Sequence, residues 1–258
     1  MNTVRVLNTD ITDTTINDVS NMLNNSSGNT VAICNANTLV QCVKNNDINS
    51  VINSFTVASP DGFPVAKAIS KLAKKNIKRV DGYKVFKQTI EDGLKKNTSH
   101  YFFGSSDRVV SRMISNLKRE YPSVNILGYT CPPIEDVDDL VNTFTESLGD
   151  RNPDIVWVSL GFPKQEMFID KLLKNVSIQS NFIGVGAVFE WVAGTKLKAP
   201  EWMANIGLEW VLRLVQEPRR LFKRYLVDNT LFVYYLTCLL YTSPSPRDLS
   251  TSRMPSSA

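Results

Sequence analysis

Asp154–Glu166, DIVWVSLGFPKQE, reads as a strand, a turn and the start of a helix. Ile155, Val156, Trp157, Val158 and Leu160 form a near-continuous apolar run, the pattern of a strand covered on both faces. Gly161-Phe162-Pro163 breaks the run. Lys164, Gln165 and Glu166 then open an amphipathic helix with Met167, Phe168, Leu172 and Leu173 as its apolar positions. In an open α/β sheet, ligands sit beyond the carboxyl ends of the strands, where such a loop lies. Gly161 lets backbone approach a ligand, and Pro163 stiffens the turn. Lys164 and Gln165 place a cation and an amide at a helix N-terminus, a setting suited to a phosphate or a sugar. The same residues also suit an ordinary strand–helix junction with a polar surface.

Working outward, the same alternation recurs. Ile16, Val19 and Leu23 have helical spacing after an acidic, Thr-rich start able to cap a helix. Val31–Cys34 and Phe55–Ala58 read as buried strands, each followed by a helical pattern. Arg79-Val80-Asp81-Gly82 reads as a loop between helices. Tyr101–Phe103, Val124–Leu127 and Phe182–Val185 complete the set of strands. Strands alternating with helices imply parallel pairing and a doubly wound sheet. The expected fold for residues 1–195 is therefore one α/β domain, a Rossmann-like, doubly wound, mostly parallel sheet.

After Pro200 the pattern is helical only. Trp202, Met203, Ile206, Trp210, Val211, Leu214 and Val215 form one apolar face. Pro218 breaks or kinks it. The stretch from Lys196 to Tyr225 holds seven basic residues and three acidic ones, an excess equal to the +4 net charge of the whole chain. Residues 196–237 are expected to form a basic, amphipathic helical appendage. Such a segment suits an anionic membrane surface, or a helical pair packed on the sheet with a solvated basic face. Residues 238–258 turn to Ser, Pro and Arg, resemble a translated sequencing adapter, and are expected to be a disordered, non-native tail.

Bulk properties narrow the classes. A net charge of +4 and an apolar fraction of 43% do not suggest a nucleic-acid binder driven by charge. The four cysteines show no CxxC spacing, and the single histidine, His100, is expected to begin a strand. This argues against a zinc site or a disulfide framework and fits a reducing compartment. No basic-then-apolar leader opens the sequence and no apolar run reaches ~18 residues, so a cytosolic location is expected.

Several strand ends carry polar groups. Asp61, in Pro60-Asp61-Gly62, fits a general base or a turn aspartate bonding its own backbone. Asn35 and Asn37 fit contacts to uracil, ribose or sugar hydroxyls, or a helix cap. Arg79 fits a diphosphate ligand or a surface arginine. Asp136-Val137-Asp138 has the DxD form of metal-dependent sugar transfer but opens an expected helix, where acids are favoured anyway. Gly184-Val185-Gly186 lacks the third glycine of a dinucleotide fingerprint, and no ribose-binding acid follows.

In this order, these pieces resemble the WecB/TagA/CpsF family of bacterial glycosyltransferases over roughly residues 30–230. The matching segments are Asn35-Ala36-Asn37, Pro60-Asp61-Gly62, Arg79–Gly82, Gly128-Tyr129 with Pro132-Pro133, and Gly161–Glu166. Gly184–Phe189, Ala193-Gly194, Ala199-Pro200, Gly207–Trp210, Glu217–Leu221 and Arg224-Tyr225 complete the match. The resemblance implies an inverting, metal-independent transfer of an N-acetylmannosamine-type sugar from a UDP-sugar, with no cofactor. The implied acceptor is an undecaprenyl-diphosphate-linked N-acetylglucosamine at the inner face of the cell membrane. The products would serve teichoic acid, capsule or exopolysaccharide synthesis. It further implies Asp61 as the base, Arg79 and Gln165 as site residues, and Arg213, Arg220 and Arg224 as neutralisers of a diphosphate. Gly161, Lys164 and Glu166 join the expected binding set with Asn35 and Asn37. Glu190 stands where aspartate is common and Lys198 where arginine is common. Both keep the charge and change its reach. Self-association is left open. The competing reading is a non-catalytic module that binds a nucleotide sugar or an anionic lipid.

Overall fold

The computed structural model describes residues 1–242. The chain opens on an antiparallel hairpin, β1 (Thr3–Val6) and β2 (Thr9–Thr12), separate from the main sheet. Thr15 then caps α1 (Ile16–Asn25) through a reciprocal bond with Asp18, so the capping residues are where the Thr-rich start placed them. β3 (Thr30–Cys34), α2 (Ala36–Lys44), α3 (Asn46–Ser54) and β4 (Val57–Pro60) follow. Next come α4 (Phe63–Ala73), α5 (Gly82–Gly93), β5 (Ser99–Gly104), α6 (Asp107–Glu120) and β6 (Asn125–Thr130). α7 (Val137–Leu148), β7 (Ile155–Ser159), α8 (Lys164–Asn175), β8 (Asn181–Gly184) and α9 (Val188–Ala193) complete the α/β portion.

Six strands form one sheet in the order β4-β3-β8-β7-β5-β6, and every pair is parallel. β8, the last strand, lies between β3 and β7, with Ala32 opposite Gly184 and Trp157 opposite Ile183. Side chains alternate across the sheet as a strand requires. Tyr101, Phe103, Val156 and Val158 enter the core under α2, α3, α4, α7 and α8. Phe102, Ile155 and Trp157 enter the core under α1, α5, α6 and α9. Each core has an aromatic centre: Phe103 stacks on Phe168 at 4.8 Å, and Phe86 meets Trp157 edge-on at 4.6 Å. Burying each such ring contributes about 1.5–3 kcal/mol, which is what holds the layers together.

His100 lies in β5, buried, with its Nδ1 accepting a hydrogen bond from Trp157 Nε1 at 3.2 Å. Burial pushes its pKa down to about 4, so the ring is a neutral core residue. Asp136 caps α7 by accepting from the Asp138 and Asp139 amides, which gives the DxD segment a structural use.

Beyond Pro200 run α10 (Glu201–Asn205), α11 (Glu209–Gln216), α12 (Pro218–Phe222), a π-helical turn (Lys223–Asp228) and α13 (Asn229–Thr242). The apolar residues expected on one helical face are split between α10 and α11 by Gly207, whose φ of +77° ends the first helix. Trp202, Ile206, Val211 and Val215 face outward instead of the sheet. Leu221 and Phe232 are the buried anchors, and Lys44 on α2 pairs with Asp228 at 2.8 Å. The apolar run from Leu231 carries α13 through Cys238 to Thr242, so the expected disordered tail does not begin at 238. Its remaining residues, 243–258, lie outside the described residues. Among the described residues no helix is long and apolar enough to cross a membrane.

Candidate active site

The carboxyl ends of β3, β4, β7 and β8 open on one cleft. The Asp61 amide donates to the Cys34 carbonyl at 2.8 Å, which extends the β3–β4 ladder one residue and fixes the carboxylate at its end. Asp61 Oδ1 accepts from the Gly62 amide at 2.8 Å and from Arg79 Nε at 2.9 Å. The turn-aspartate reading and the site reading thus hold together, because the turn bond uses Oδ1 and leaves Oδ2 unbonded among the described residues. Arg79 Nη2 reaches Asp81 Oδ2 at 3.1 Å and Glu209 Oε2 at 2.6 Å. Asp81 also caps α5 through the Tyr83 and Lys84 amides and accepts from Lys198 Nζ at 3.3 Å.

This network sets the charges. Burial raises the Asp61 pKa, Arg79 offsets part of the rise, and the neighbouring Asp81 and Glu209 charges add to it. Burial would raise Asp81 too, but Arg79, Lys198 and the α5 amides hold it below its usual value. Two carboxylates around one guanidinium are therefore driven in opposite directions, the arrangement that separates a base from a fixed charge.

Gln165, in the first turn of α8, forms the cleft wall. Its Oε1 accepts from the Gly186 amide at 3.2 Å and its Nε2 donates to Glu166 Oε1 at 2.8 Å. A Cβ at Gly184 would lie 2.6 Å from Gln165 Nε2, so any larger residue there would push the Gln165 amide out of its present place. Glu166 sits behind Gln165, buried, with Oε2 unpartnered. Burial pushes its carboxyl up to about 7, against smaller lowering from Gln165 and Arg224. Lys164 turns away, its ammonium on the Glu135 carbonyl at 2.5 Å, and neither it nor Glu166 lines the cleft. Gly161 lines it with φ +80°, a backbone that favours glycine.

Asn35 caps α2 through the Thr38 amide and still faces the cleft. Asn37 belongs to an adjoining hollow walled by Phe63, Pro64, Trp210 and Tyr225. Asn35, Asp61, Arg79, Arg213 and Arg224 border both spaces, so the two meet at the carboxylate. The three appendage arginines reach the cleft by different means. Arg213 lies 4.9 Å from the centre of the Trp191 ring, Arg220 pairs with Glu217, and Arg224 makes no ion pair among the described residues. Burial, with Arg213 and Arg220 nearby, lowers the Arg224 pKa, which marks a cation placed where an anion would be welcome.

Asp81, Glu190, Trp191 and Lys196 also line the cleft and Glu209 the adjoining hollow, and none of them was among the candidate residues read from the sequence. The Asp81-Gly82 pair at a helix start was the one available signal, because an Asp at that position caps. Among the described residues no group of three or more His, Cys, Asp or Glu is arranged to hold a metal ion.

Two curated relatives bear on this arrangement. An N-acetylglucosaminyldiphosphoundecaprenol N-acetyl-beta-D-mannosaminyltransferase of Bacillus subtilis (strain 168) is 31% identical over 175 residues, 67% of this chain and 66% of that protein. The protein of the same description from Bacillus spizizenii (strain ATCC 23059 / NRRL B-14472 / W23) is 29% identical over 171 residues, 66% of this chain and 65% of that protein. The chain thus spans just under two thirds of the length of these relatives. A model of the Glycosyl transferase WecG/TagA/CpsF family matches residues 3–244, and with that coverage the chain belongs to this family.

Proposed function

We propose that this chain is an inverting glycosyltransferase that moves an N-acetylmannosamine-type sugar from a UDP-sugar to a polyprenyl-diphosphate-linked N-acetylglucosamine. The observation that carries the reading is Asp61: a half-buried carboxylate with one oxygen held by Arg79 and the turn, and the other unbonded where two recesses meet. In this reading Oδ2 takes the proton of the acceptor hydroxyl. The hydroxyl oxygen attacks the anomeric carbon from the face opposite UDP, and the bond to the diphosphate breaks. UDP then leaves with its added negative charge beside Arg213, Arg220 and Arg224, which supply fixed positive charge without a metal ion. Polar groups and cations line the cleft, which suits the donor, while the aromatic-walled hollow suits the acceptor sugar.

The acceptor is lipid-linked, so the protein works at a membrane face. Trp202, Ile206, Val215 and Phe222 are exposed, as are Arg219 and Lys223, a combination suited to anionic lipid. The product would enter a cell-surface polymer such as wall teichoic acid, capsule or exopolysaccharide.

The test is UDP release from UDP-N-acetylmannosamine with a lipid-diphosphate-N-acetylglucosamine acceptor. Acceptor-dependent release is expected from the full chain, with a loss of about 10²–10⁴-fold in Asp61→Asn and unchanged UDP affinity. Release that persists in Asp61→Asn removes the base assignment. Absence of release with any UDP-sugar favours the binding-module reading.

A further inference from the structure

Arg79 is the hub of the site, and one of its three carboxylate partners comes from the appendage. Glu209 opens α11 and reaches Arg79 Nη2 at 2.6 Å across 130 residues of sequence. Its position is fixed next to the base itself. Gly207 packs on Phe63, where an added Cβ would lie 3.1 Å from the ring, and Phe63 follows Asp61-Gly62 directly. The appendage is therefore seated on the turn that carries Asp61.

The bonding pattern of Arg79 gives Glu209 a purpose. A guanidinium grips a carboxylate most tightly side-on, with Nε and Nη2 on its two oxygens. Here Nε is on Asp61 Oδ1, while Nη2 is occupied by Asp81 and Glu209. The second arm of the fork is thus withheld from Asp61 Oδ2. Removing Glu209 frees one Nη2 proton and removes a negative charge from the surroundings of Asp61.

We propose that Glu209 is a positioning residue that keeps Arg79 from closing both arms on Asp61, so that Oδ2 stays free to take a proton. The inference rests on Asp61 being the base. The charged groups around Asp61 that bear on this are Arg79 and Asp81 from the α4–α5 connection, Glu209 from α11 and Arg224 from the π-helical turn, with Lys198 acting through Asp81.

The experiment compares pH profiles of kcat for UDP release in the full chain, Glu209→Gln, Glu209→Asp and Asp61→Asn, with circular dichroism as a fold control. Asp61 must be unprotonated to act, so activity falls on the acid side as it takes up a proton. The amide in Glu209→Gln is a weaker, uncharged acceptor, so Arg79 shifts its hold toward Asp61 and lowers the Asp61 pKa. The acid limb of Glu209→Gln is expected to move down by about one pH unit. Its plateau kcat falls several-fold while KM for the UDP-sugar stays within about twofold. Glu209→Asp, which keeps the charge, is expected to hold the acid limb at the wild-type position. An unmoved acid limb in Glu209→Gln, with Asp61→Asn inactive, overturns the role of Glu209 and leaves the base reading standing. Full activity in Asp61→Asn overturns both.

Discussion

The α/β portion and the helices after Pro200 are held in place by different forces. In the first, both faces of a six-stranded sheet are covered and the large rings are fully buried. In the second, Leu221 and Phe232 are buried, but Trp202, Ile206, Val215 and Phe222 are exposed. Lys44–Asp228, Arg79–Glu209 and Lys84–Glu201 are ion pairs between the two portions, and Lys198–Asp81 ties down the segment that joins them. The difference separates two tasks. Burial on both faces makes the sheet a rigid mount for Asp61, whereas the helices after Pro200 are joined to it by a few apolar anchors and by ion pairs. Function lies on that seam.

The comparison breaks most visibly through truncation. Phe168→Ala removes a ring that stacks on Phe103 and meets Phe144, and should cost about 3–5 kcal/mol of stability in a denaturant titration. Trp202→Ala, at a residue 61% exposed, should cost no more than about 0.5 kcal/mol while weakening association with anionic vesicles several-fold. Equal losses of stability in the two variants would mean that the appendage is part of the core.

Glu166 sharpens the contrast from inside the sheet layer. Its folded pKa of about 7 lies above the ordinary 4.5, so the folded chain keeps a proton that the unfolded chain gives up. Stability therefore falls as pH rises from about 4.5 to about 7 and is level above that. The difference of 2.5 units corresponds to the order of 3 kcal/mol. Glu166→Gln retains an acceptor for Gln165, removes this slope and should raise Tm at pH 8 more than at pH 5. A slope as steep in the variant would place the proton elsewhere. The smallest effect is expected at Lys164. Its ammonium is spent on the Glu135 carbonyl, so Lys164→Ala should change kcat/KM by less than about twofold; a tenfold loss would bring it into the cleft.

Strand ends were legible because punctuation follows them: Asn35 after β3, Pro60-Asp61-Gly62 at β4 and Gly161 after β7. Strand order was not, since alternation dictates parallel pairing without saying that β8 sits between β3 and β7. The β1–β2 hairpin escaped because its strands are four residues long and its Leu7-Asn8 turn has no glycine; Leu7 itself takes φ +56°. Periodicity joined Trp202 to Trp210 in one helical face because it does not register the positive φ at Gly207. The charge network around Arg79 was hidden for another reason. Asp61 and Arg79 are strand-end and loop residues that a local reading can single out, but Glu209 meets them only through tertiary structure.

The central place of β8 also governs how the chain is made. Until Asn181–Gly184 has left the ribosome, β4-β3 and β7-β5-β6 are two half-sheets, each with an open inner edge. Closing them needs contacts between the first and last strands of the sheet, the kind that form slowly. A nascent chain stopped before Asn181 thus exposes two unpaired apolar strands, a template for aggregation and a call on chaperones. The floor of the cleft is built from the carboxyl ends of strands in both halves, so it comes into being in a single late event, when β8 is inserted.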